Sequence, residues 1–337
     1  MNTPPSYRRI ALTALTGQFR TASEILPTEW RDPGPGQVVI RNLYAGVNAV
    51  FDQNLCRNTV RYVDVVPPFD LGIEAVGDVI AVGAGVTGLR LGDPVATTRL
   101  GSGYRDYQLA EAARVYRVHE ASPEVLALIP SGVSALVGLE RIAQLQAGET
   151  IAISAAAGGL GNLLVQLSRR MGARVIGIGG SAAKLRLLQE LGCERAVDRR
   201  SEDLREVLAR EYPRGLDVAY DTVGGEVFET FVDHLAMHGR LVVSGHTSDF
   251  EEPELRVPSV PVYRRLYWKS ASIRAFQMPA FPQYFDEAAS RLLAMHARGE
   301  IRPAIDPTPF VGLESVADAV EHLLAGRNVG KVVVRLT

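Results

Sequence analysis

The stretch that decides the fold is Ile151-Ala152-Ile153-Ser154-Ala155-Ala156-Ala157-Gly158-Gly159-Leu160-Gly161. It begins as an apolar run typical of a buried strand, and a helical pattern that ends at Gly172 follows it. Its second half is the G-x-G-x-x-G pattern with alanine at the first glycine. In that pattern Gly158 lets the backbone approach a pyrophosphate, Gly161 lets the helix pack on the strand, and the helix N-terminus faces the phosphates. The stretch therefore predicts a dinucleotide-binding turn, whose other contacting residues are Ala157, Gly159 and Leu160.

Outward from this turn, strand and helix patterns alternate along the middle of the chain. The predicted strands are residues 151–154, 174–178, 195–198, 216–221, 240–244 and 270–276. Helical patterns fill most of the gaps, as at residues 160–171 and 182–191, and each of these two is closed by a glycine. Strand and helix alternating at this spacing indicate βαβ units, so we expect an α/β fold with a doubly wound, parallel, six-stranded sheet.

The first third of the chain has a different texture. Short β-type runs at residues 38–40, 75–82 and 114–118 are separated by the turn signals Pro33-Gly34-Pro35-Gly36 and Gly92-Asp93-Pro94. This pattern predicts a compact, mostly-β domain. The tail adds a predicted helix at 313–325 and a final strand at 331–336.

Composition excludes several classes of function. The net charge of −2 provides no basic field for nucleic acid or for an anionic membrane surface. No apolar run is expected to span a bilayer, and the first 19 residues lack a signal-peptide pattern, so we expect a cytosolic protein. Two cysteines, Cys56 and Cys193, are too few for a disulfide framework or a four-cysteine zinc site.

The residues around the second predicted strand indicate which dinucleotide binds. NAD sites place an acidic residue about 20 positions beyond the glycines, but no acidic residue lies between Thr150 and Gln189. The strand ends instead in Gly179-Gly180-Ser181, followed by Lys184 and later by Arg199. Small residues, a hydroxyl and two cations suit a ribose 2′-phosphate, which favours NADPH. The alternative is that Lys184 and Arg199 are ordinary solvated surface charges.

Several landmarks resemble the medium-chain dehydrogenase/reductase superfamily over nearly the whole chain. They are Gly46-Val47-Asn48-Ala49, Gly72-Ile73-Glu74-Ala75-Val76-Gly77, Gly92-Asp93-Pro94-Val95, residues 155–161 and Gly330-Lys331-Val332-Val333. Within the superfamily the chain is most similar to the zinc-free quinone oxidoreductase and enoyl reductase branch, and there to prostaglandin reductase 3-type proteins. The stretches that carry this likeness include Pro67-Pro68-Phe69-Asp70 and Asp221-Thr222-Val223-Gly224-Gly225.

The resemblance implies a domain plan and an assembly. Residues 1–124 and 285–337 would form a GroES-like catalytic domain, and residues 125–284 would form the Rossmann NADPH-binding domain. A homodimer would form through the edge strand at 270–276. Further cofactor contacts are implied at Ser134, Val223, Gly245, His246, Phe276 and Lys331.

The same resemblance argues against a catalytic metal. Zinc-dependent relatives carry a histidine ligand in G-H-E-x-x-G, and Ile73 stands at that place here. His119 is the first histidine of the chain, so the N-terminal part of the catalytic domain offers no imidazole to zinc. We therefore expect metal-free chemistry.

Direct hydride transfer from NADPH to an enone or enoyl thioester is the leading hypothesis for function. Quinone reduction and a non-catalytic NADPH-binding role are the alternatives. Candidate catalytic residues are Asn48, which could instead stabilise a turn, and His246, which is either a proton donor or a loop histidine. Asn54 stands where many relatives have a pocket tyrosine. Tyr62 is the nearest substitute, or else an ordinary boundary aromatic.

Overall fold

Apolar side chains on alternate positions build the first sheets. The structure is a computed structural model that describes residues 6–250 and 261–336. On the third strand, Val38 and Ile40 are buried against Val79 and Val95 of neighbouring strands. The elements of this N-terminal part are β1 (Ser6–Leu12), α1 (Phe19–Ala22), β2 (Ser23–Glu29), β3 (Gln37–Gly46), α2 (Ala49–Cys56), β4 (Phe69–Asp70), β5 (Glu74–Val82), β6 (Pro94–Thr98), β7 (Tyr107–Glu111) and β8 (Tyr116–Arg117).

Two of the predicted early strands have different lengths in the structure. The strand predicted at 38–40 extends through all of β3, because β3 pairs with β5 from Val38 to Ala45. The polar Asn42 within it is buried and donates hydrogen bonds to three backbone carbonyls. The prediction of a strand over residues 114–118 is wrong about where the strand begins. A 3₁₀ turn at Ala112–Arg114 precedes it, with the Val115 N–H donating to the Ala112 carbonyl, so only β8 remains paired.

A long apolar helix follows β8. It consists of α3 (Pro123–Ala127) and α4 (Val133–Val137), each continued by a π-helical stretch, and Ser122 caps its start by accepting from the Val125 N–H. Over Pro123–Ala143 the helix has 21 residues and is long and apolar enough to cross a membrane. The expectation that no apolar run reaches that length is therefore wrong. The apolar window is 72% buried, as in the core helix of a soluble protein, so length and composition alone are weak evidence for a span. Cytosolic location stays a prediction.

The middle of the chain forms the predicted parallel sheet. Its elements are β9 (Thr150–Ile153), α5 (Gly161–Arg170), β10 (Arg174–Gly179), α6 (Ala182–Glu190), β11 (Arg195–Asp198), α7 (Leu204–Glu211), β12 (Leu216–Asp221), α8 (Gly225–His234), β13 (Leu235–Val243), α9 (Val262–Tyr267) and β14 (Ser272–Ala275). All five strand pairings are parallel, in the order β11-β10-β9-β12-β13-β14. The doubly wound, six-stranded Rossmann sheet is confirmed.

The last two strands of this sheet differ from their predicted bounds for backbone reasons. β13 begins at Leu235, before the predicted start at residue 240, because its pairing with β12 shifts register between Leu216 and Val218. β14 begins only at Ser272 because Ser270 has a left-handed φ of 48°, which no strand accommodates. β14 lies at the edge of the sheet, as predicted.

The tail returns to the N-terminal sheet. It contributes α10 (Phe285–Ala297), β15 (Phe310–Val311), α11 (Val316–Leu324) and β16 (Val333–Arg335). β16 pairs antiparallel with β3, so Val333 lies opposite Gly46, and the order of the seven-stranded sheet is β15-β16-β3-β5-β6-β8, with β7 also paired to β3. A separate sheet has the order β2-β1-β4.

The chain divides into two compact units. One contains the chain up to Pro130 and from Leu293 onward, and the other is Ser131–Leu292. The predicted boundaries were 124/125 and 284/285. Both divisions in the structure fall inside continuous helices: the first lies at Pro130-Ser131-Gly132, which stays helical, and the second lies within α10.

Candidate cofactor site and buried polar cluster

The glycine turn between β9 and α5 is held by its own backbone. Gly158 donates its N–H to the Ala155 carbonyl at 2.9 Å, and Asn162 Nδ2 donates to the carbonyls of Gly158 and Gly159. A β-carbon on Gly161 would overlap the Ala155 carbonyl oxygen, so only glycine lets the helix begin here. No side chain caps α5. The Asn162 and Leu163 N–H groups donate to the carbonyls of Gly158 and Leu160, so the helix N-terminus attracts an anion mainly through its dipole. These features fit a pyrophosphate.

The turn after β10 brings a hydroxyl and two cationic side chains together. Arg199 packs over Gly180, since a β-carbon on that glycine would lie 2.8 Å from Arg199 Nε. The Arg199 N–H also donates to the Gly179 carbonyl at 2.9 Å. Ser181 Oγ caps α6 by accepting from the Lys184 N–H at 3.3 Å, so its own proton is directed elsewhere. A β-carbon added to Gly179 would lie 3.3 Å from the β-carbon of Lys184. Lys184 and Arg199, which the sequence singled out, thus both lie beside the turn at residues 179–181.

The loops after β9 and β12 are joined by a buried carboxylate. Asp221 is fully buried, and its Oδ1 accepts from Ser154 Oγ at 2.7 Å and from the Val223 N–H at 2.9 Å. Its Oδ2 accepts from the Gly224 N–H at 3.0 Å, and Ser154 Oγ accepts from the Thr222 N–H at 2.8 Å. Burial raises the pKa of Asp221, and these donors oppose that rise. The predicted contact Val223 is thereby held in a fixed backbone position.

The loop after β13 lies against the Val223 loop. The Ser248 N–H donates to the Val223 carbonyl at 2.8 Å, and a β-carbon on Gly245 would lie 2.9 Å from the Thr222 carbonyl oxygen. His246 is exposed on this loop, at the carboxyl end of its strand as predicted. Phe276, by contrast, is 6% exposed and packs against Phe281 with ring centroids 5.4 Å apart. Ser134 is half-buried on α4.

A buried ion pair occupies the start of α2 in the other unit. Lys331 Nζ lies 2.6 Å from Glu74 Oε1, and the two side chains are 4% and 0% exposed. Asn48 links them, because Lys331 donates to its Oδ1 at 3.0 Å and its Nδ2 donates to Glu74 Oε1 at 2.6 Å. Lys331 also donates to the Val47 carbonyl. A β-carbon on Gly46 would overlap the Glu74 carboxylate, which explains the glycine there.

A second buried carboxylate lies one helical turn beyond Asn48 and was missed in the sequence. Asp52 is fully buried and accepts from the Tyr104 hydroxyl at 2.6 Å. Burial raises the pKa of Asp52 to about 7, although the Tyr104 bond and the Lys331 charge oppose this. The i, i+4 spacing of Asn48 and Asp52 was the one available signal, because it places both side chains on one helix face.

Tyr62 and Asn54 lie at and beyond the end of α2. Asn54 is half-buried on the helix, and its carbonyl and Oδ1 both accept from Thr59 Oγ1 at 3.2 Å. Tyr62 is 51% exposed on the following loop. Its role at a reaction centre therefore stays a prediction.

The residues around Ile73 do not fit a catalytic zinc ion. The neighbouring Glu74 is already neutralised by Lys331, and Ile73 itself offers no ligand atom. Within the described ranges, one group of three His, Cys, Asp or Glu side chains could hold a metal, and it is His119, Glu120 and His296 instead.

Comparison with known proteins agrees with this architecture. The family model "Alcohol dehydrogenase GroES-like domain" matches residues 34–121, and "Zinc-binding dehydrogenase" matches residues 159–294. The chain belongs to the medium-chain dehydrogenase/reductase superfamily and is an oxidoreductase of that superfamily.

Individual relatives cover the whole chain. Prostaglandin reductase-3 of Mus musculus is 34% identical over 99% of this chain and 90% of its own length. The "Probable quinone oxidoreductase" of Leishmania amazonensis is 34% identical over 100% of both chains. A mycobacterial protein solved in complex with NADPH superposes with a TM-score of 0.84 at 25% identity, over 98% of this chain and 100% of that one.

Proposed function

We propose that this chain uses NADPH to reduce a carbon–carbon double bond conjugated to a carbonyl, in an enone or an enoyl thioester. The observation that carries the cofactor assignment is Arg199 packed over Gly180 beside the Ser181 hydroxyl, where an NAD site would need a carboxylate. The relation to prostaglandin reductase-3, a named reductase, supports the reaction class.

The residues of the Rossmann unit would hold the cofactor in three places. The turn at Ala157–Gly161 takes the pyrophosphate, the Gly180 turn takes the 2′-phosphate, and the Val223 and Gly245 loops take the nicotinamide half. When bound, NADPH supplies the hydride that adds to the β-carbon of the alkene. The protein must then stabilise the charge that develops on the carbonyl oxygen and provide for protonation of the α-carbon.

Asn48 is a candidate donor for this task because the structure fixes the orientation of its amide. Its Oδ1 accepts from an ammonium and its Nδ2 donates to a carboxylate, so the network fixes which way the amide points. One amide N–H remains beyond the one given to Glu74. We assign it to the substrate oxygen or to the nicotinamide ribose. His246 is the proposed proton donor, and Tyr62 the second donor to the oxygen.

Quinone reduction is the second candidate. The Leishmania amazonensis relative with that name matches over its entire length at the same 34% identity. A quinone is also a conjugated carbonyl, so a metal-free site with donors aimed at an oxygen would serve both reactions.

Steady-state NADPH oxidation distinguishes these functions. The panel should contain a conjugated enone, the matching saturated ketone, an isolated alkene and a quinone. We expect turnover of the enone and none of the saturated ketone or the isolated alkene, with deuterium from NADPD at the β-carbon of the enone and with no loss in the presence of EDTA. Turnover of the quinone alone would establish the second candidate, and NADPH binding without turnover of any compound would identify a binding protein.

The proposal also covers the assembly and the location of the protein. Among the strands of residues 6–250 and 261–336, β14 is at the edge of the six-stranded sheet, and pairing with a second copy would cover its outer side. We therefore propose a homodimer formed through this strand, and from the sequence pattern we propose a cytosolic location. Sedimentation of the wild type and of Ile273→Pro, which removes a backbone donor from β14, tests the assembly.

A further inference from the structure

Two histidines from distant parts of the chain meet in the unit that contains the N-terminal sheets. His119 lies just after β8, and His296 lies in the last turn of α10. His296 Nδ1 is 3.3 Å from His119 Nε2, and the ring centroids are 5.3 Å apart. Glu120 Oε1 is 3.9 Å from the same His119 Nε2. The ligand atoms of the three residues all lie within 4.8 Å of one another.

This spacing is that of ligands around one small ion. Zinc–nitrogen bonds are about 2.0–2.1 Å long, so two nitrogens at tetrahedral positions on one ion stand about 3.3 Å apart. The observed separation of the two imidazole nitrogens is 3.3 Å. Glu120 Oε1, at 3.9 Å from His119 Nε2, lies 0.6 Å beyond the separation of the two nitrogens and supplies the third ligand atom.

A direct hydrogen bond between two neutral imidazoles is the competing explanation. The N···N separation of 3.3 Å is at the long end for a hydrogen bond, so such a bond would be weak. The carboxylate beside the pair is also held in place, because Glu120 Oε1 accepts from Ser122 Oγ at 2.9 Å. A ligating carboxylate anchored by an outer hydrogen bond is the usual arrangement at metal sites.

We propose that His119, Glu120 and His296 bind a divalent transition-metal ion. Two imidazoles and one carboxylate suit Zn²⁺, Co²⁺, Ni²⁺ and Cu²⁺, and do not suit Mg²⁺ or Ca²⁺, which prefer oxygen ligands. Three protein ligands leave a position open to water. The ion would join the segment after β8 to α10, so its role is to stabilise the fold.

Direct metal titration of the full chain, purified without a histidine tag, tests the site. Co²⁺ is added first and read by its visible absorption, and Zn²⁺ then displaces it. We expect one ion per chain, and a Tm that rises with Zn²⁺ because the ion binds the folded state. His296→Gln and His119→Gln should each weaken binding by at least the roughly 10–100-fold that loss of an outer-shell partner costs, and should abolish the Tm rise.

Two further variants complete the design. Glu120→Gln keeps the shape of the side chain but removes its charge, so it should weaken Zn²⁺ binding even if a histidine variant fails to fold. His238→Asn changes an exposed histidine outside the cluster and should bind like the wild type. Binding that is unchanged in the three cluster variants, binding lost equally in His238→Asn, or no Co²⁺ spectrum at a millimolar excess would each overturn the proposal.

Discussion

Arg199 lies over Gly180 so closely that a β-carbon on the glycine would be 2.8 Å from the Arg199 Nε. The arginine follows β11 and the glycine follows β10, so two adjacent parallel strands bring the pair together at their carboxyl ends. Ligands of doubly wound sheets bind at this edge. The turn at Gly180, where NAD sites carry an acidic residue, therefore has a cationic side chain beside it instead.

The first prediction concerns cofactor selectivity. Replacing Lys184 and Arg199 together by Ala should weaken NADPH binding by about 1.5–3 kcal/mol per lost charged hydrogen bond, or roughly 10- to 150-fold each, and leave NADH unchanged. Calorimetric titration with both cofactors measures this. Arg200→Ala is the matched control, because it removes a neighbouring exposed arginine. An equal loss for NADH would exclude the 2′-phosphate assignment.

The second prediction separates two glycines of the phosphate turn. Gly161→Ala forces its new methyl group into the Ala155 carbonyl and should destabilise the fold by about 1–3 kcal/mol. In Gly158→Ala the added β-carbon meets only the Ala155 carbonyl oxygen, at 3.2 Å, so the stability of this variant should stay near wild type. Its NADPH binding should fall, because the methyl group keeps the pyrophosphate from the backbone. Denaturant unfolding and NADPH titration of both variants test this. Identical behaviour of the two variants would contradict it.

The third prediction follows from the raised pKa of Asp52, about 7 in the folded chain against about 3.9 when unfolded. Between these values the folded state holds the proton more tightly, so the free energy of unfolding falls as pH rises from about 4 to 7. Asp52→Asn removes the titrating group and with it this pH-dependent loss of stability. The amide oxygen of the variant can still accept a hydrogen bond from the Tyr104 hydroxyl. Relative to wild type, it should gain on the order of 2 kcal/mol of stability between pH 5 and pH 8.

Urea unfolding at several pH values measures this gain. Asp64→Asn, an exposed aspartate after the same helix, is the control and should change little across the range. A stability difference between Asp52→Asn and wild type that does not vary with pH would show that Asp52 is ionised throughout.

The fourth prediction concerns the buried pair Lys331–Glu74. Lys331→Met leaves the Glu74 carboxylate buried without its cation and should cost about 3–5 kcal/mol of stability. Adding Glu74→Gln removes the second charge and should recover much of that loss. Thermal and urea unfolding of the two single variants and the double variant give the coupling energy. Additive effects would mean that the pair contributes no coupling.

Local patterns made the Rossmann unit predictable. The turn at Gly158 and Gly161, the strand before it and the helix after it are contiguous in sequence, and their periodicity survives in the structure. The start of β14 was not predictable in this way, because the left-handed φ of Ser270 is unusual for serine and leaves no mark on hydrophobic periodicity.

The buried polar cluster could be predicted only in part. Asn48 and Lys331 stood out as landmarks, yet their contact depends on β16 pairing with β3, a register that no local pattern specifies. Asp52 and Tyr104 are further examples, since their hydrogen bond joins residues 52 positions apart. The paired histidines His119 and His296 were invisible for the same reason. Long-range pairing of polar groups is set by tertiary packing alone.

The last prediction tests the proposed reaction centre. Tyr62→Phe should lower kcat for a conjugated enone, by at most the roughly 10²–10³-fold that loss of one donor to a developing oxyanion costs. His246→Gln should slow protonation of the α-carbon by about 10²–10⁴-fold at most, because it removes the proposed proton donor. Tyr263→Phe, at an exposed tyrosine of α9, is the control for the first change. NADPH affinity should stay at the wild-type value in Tyr62→Phe. If both variants turn over at the wild-type rate, the α-carbon takes its proton from water, and Asn48 is the remaining protein donor to the substrate oxygen.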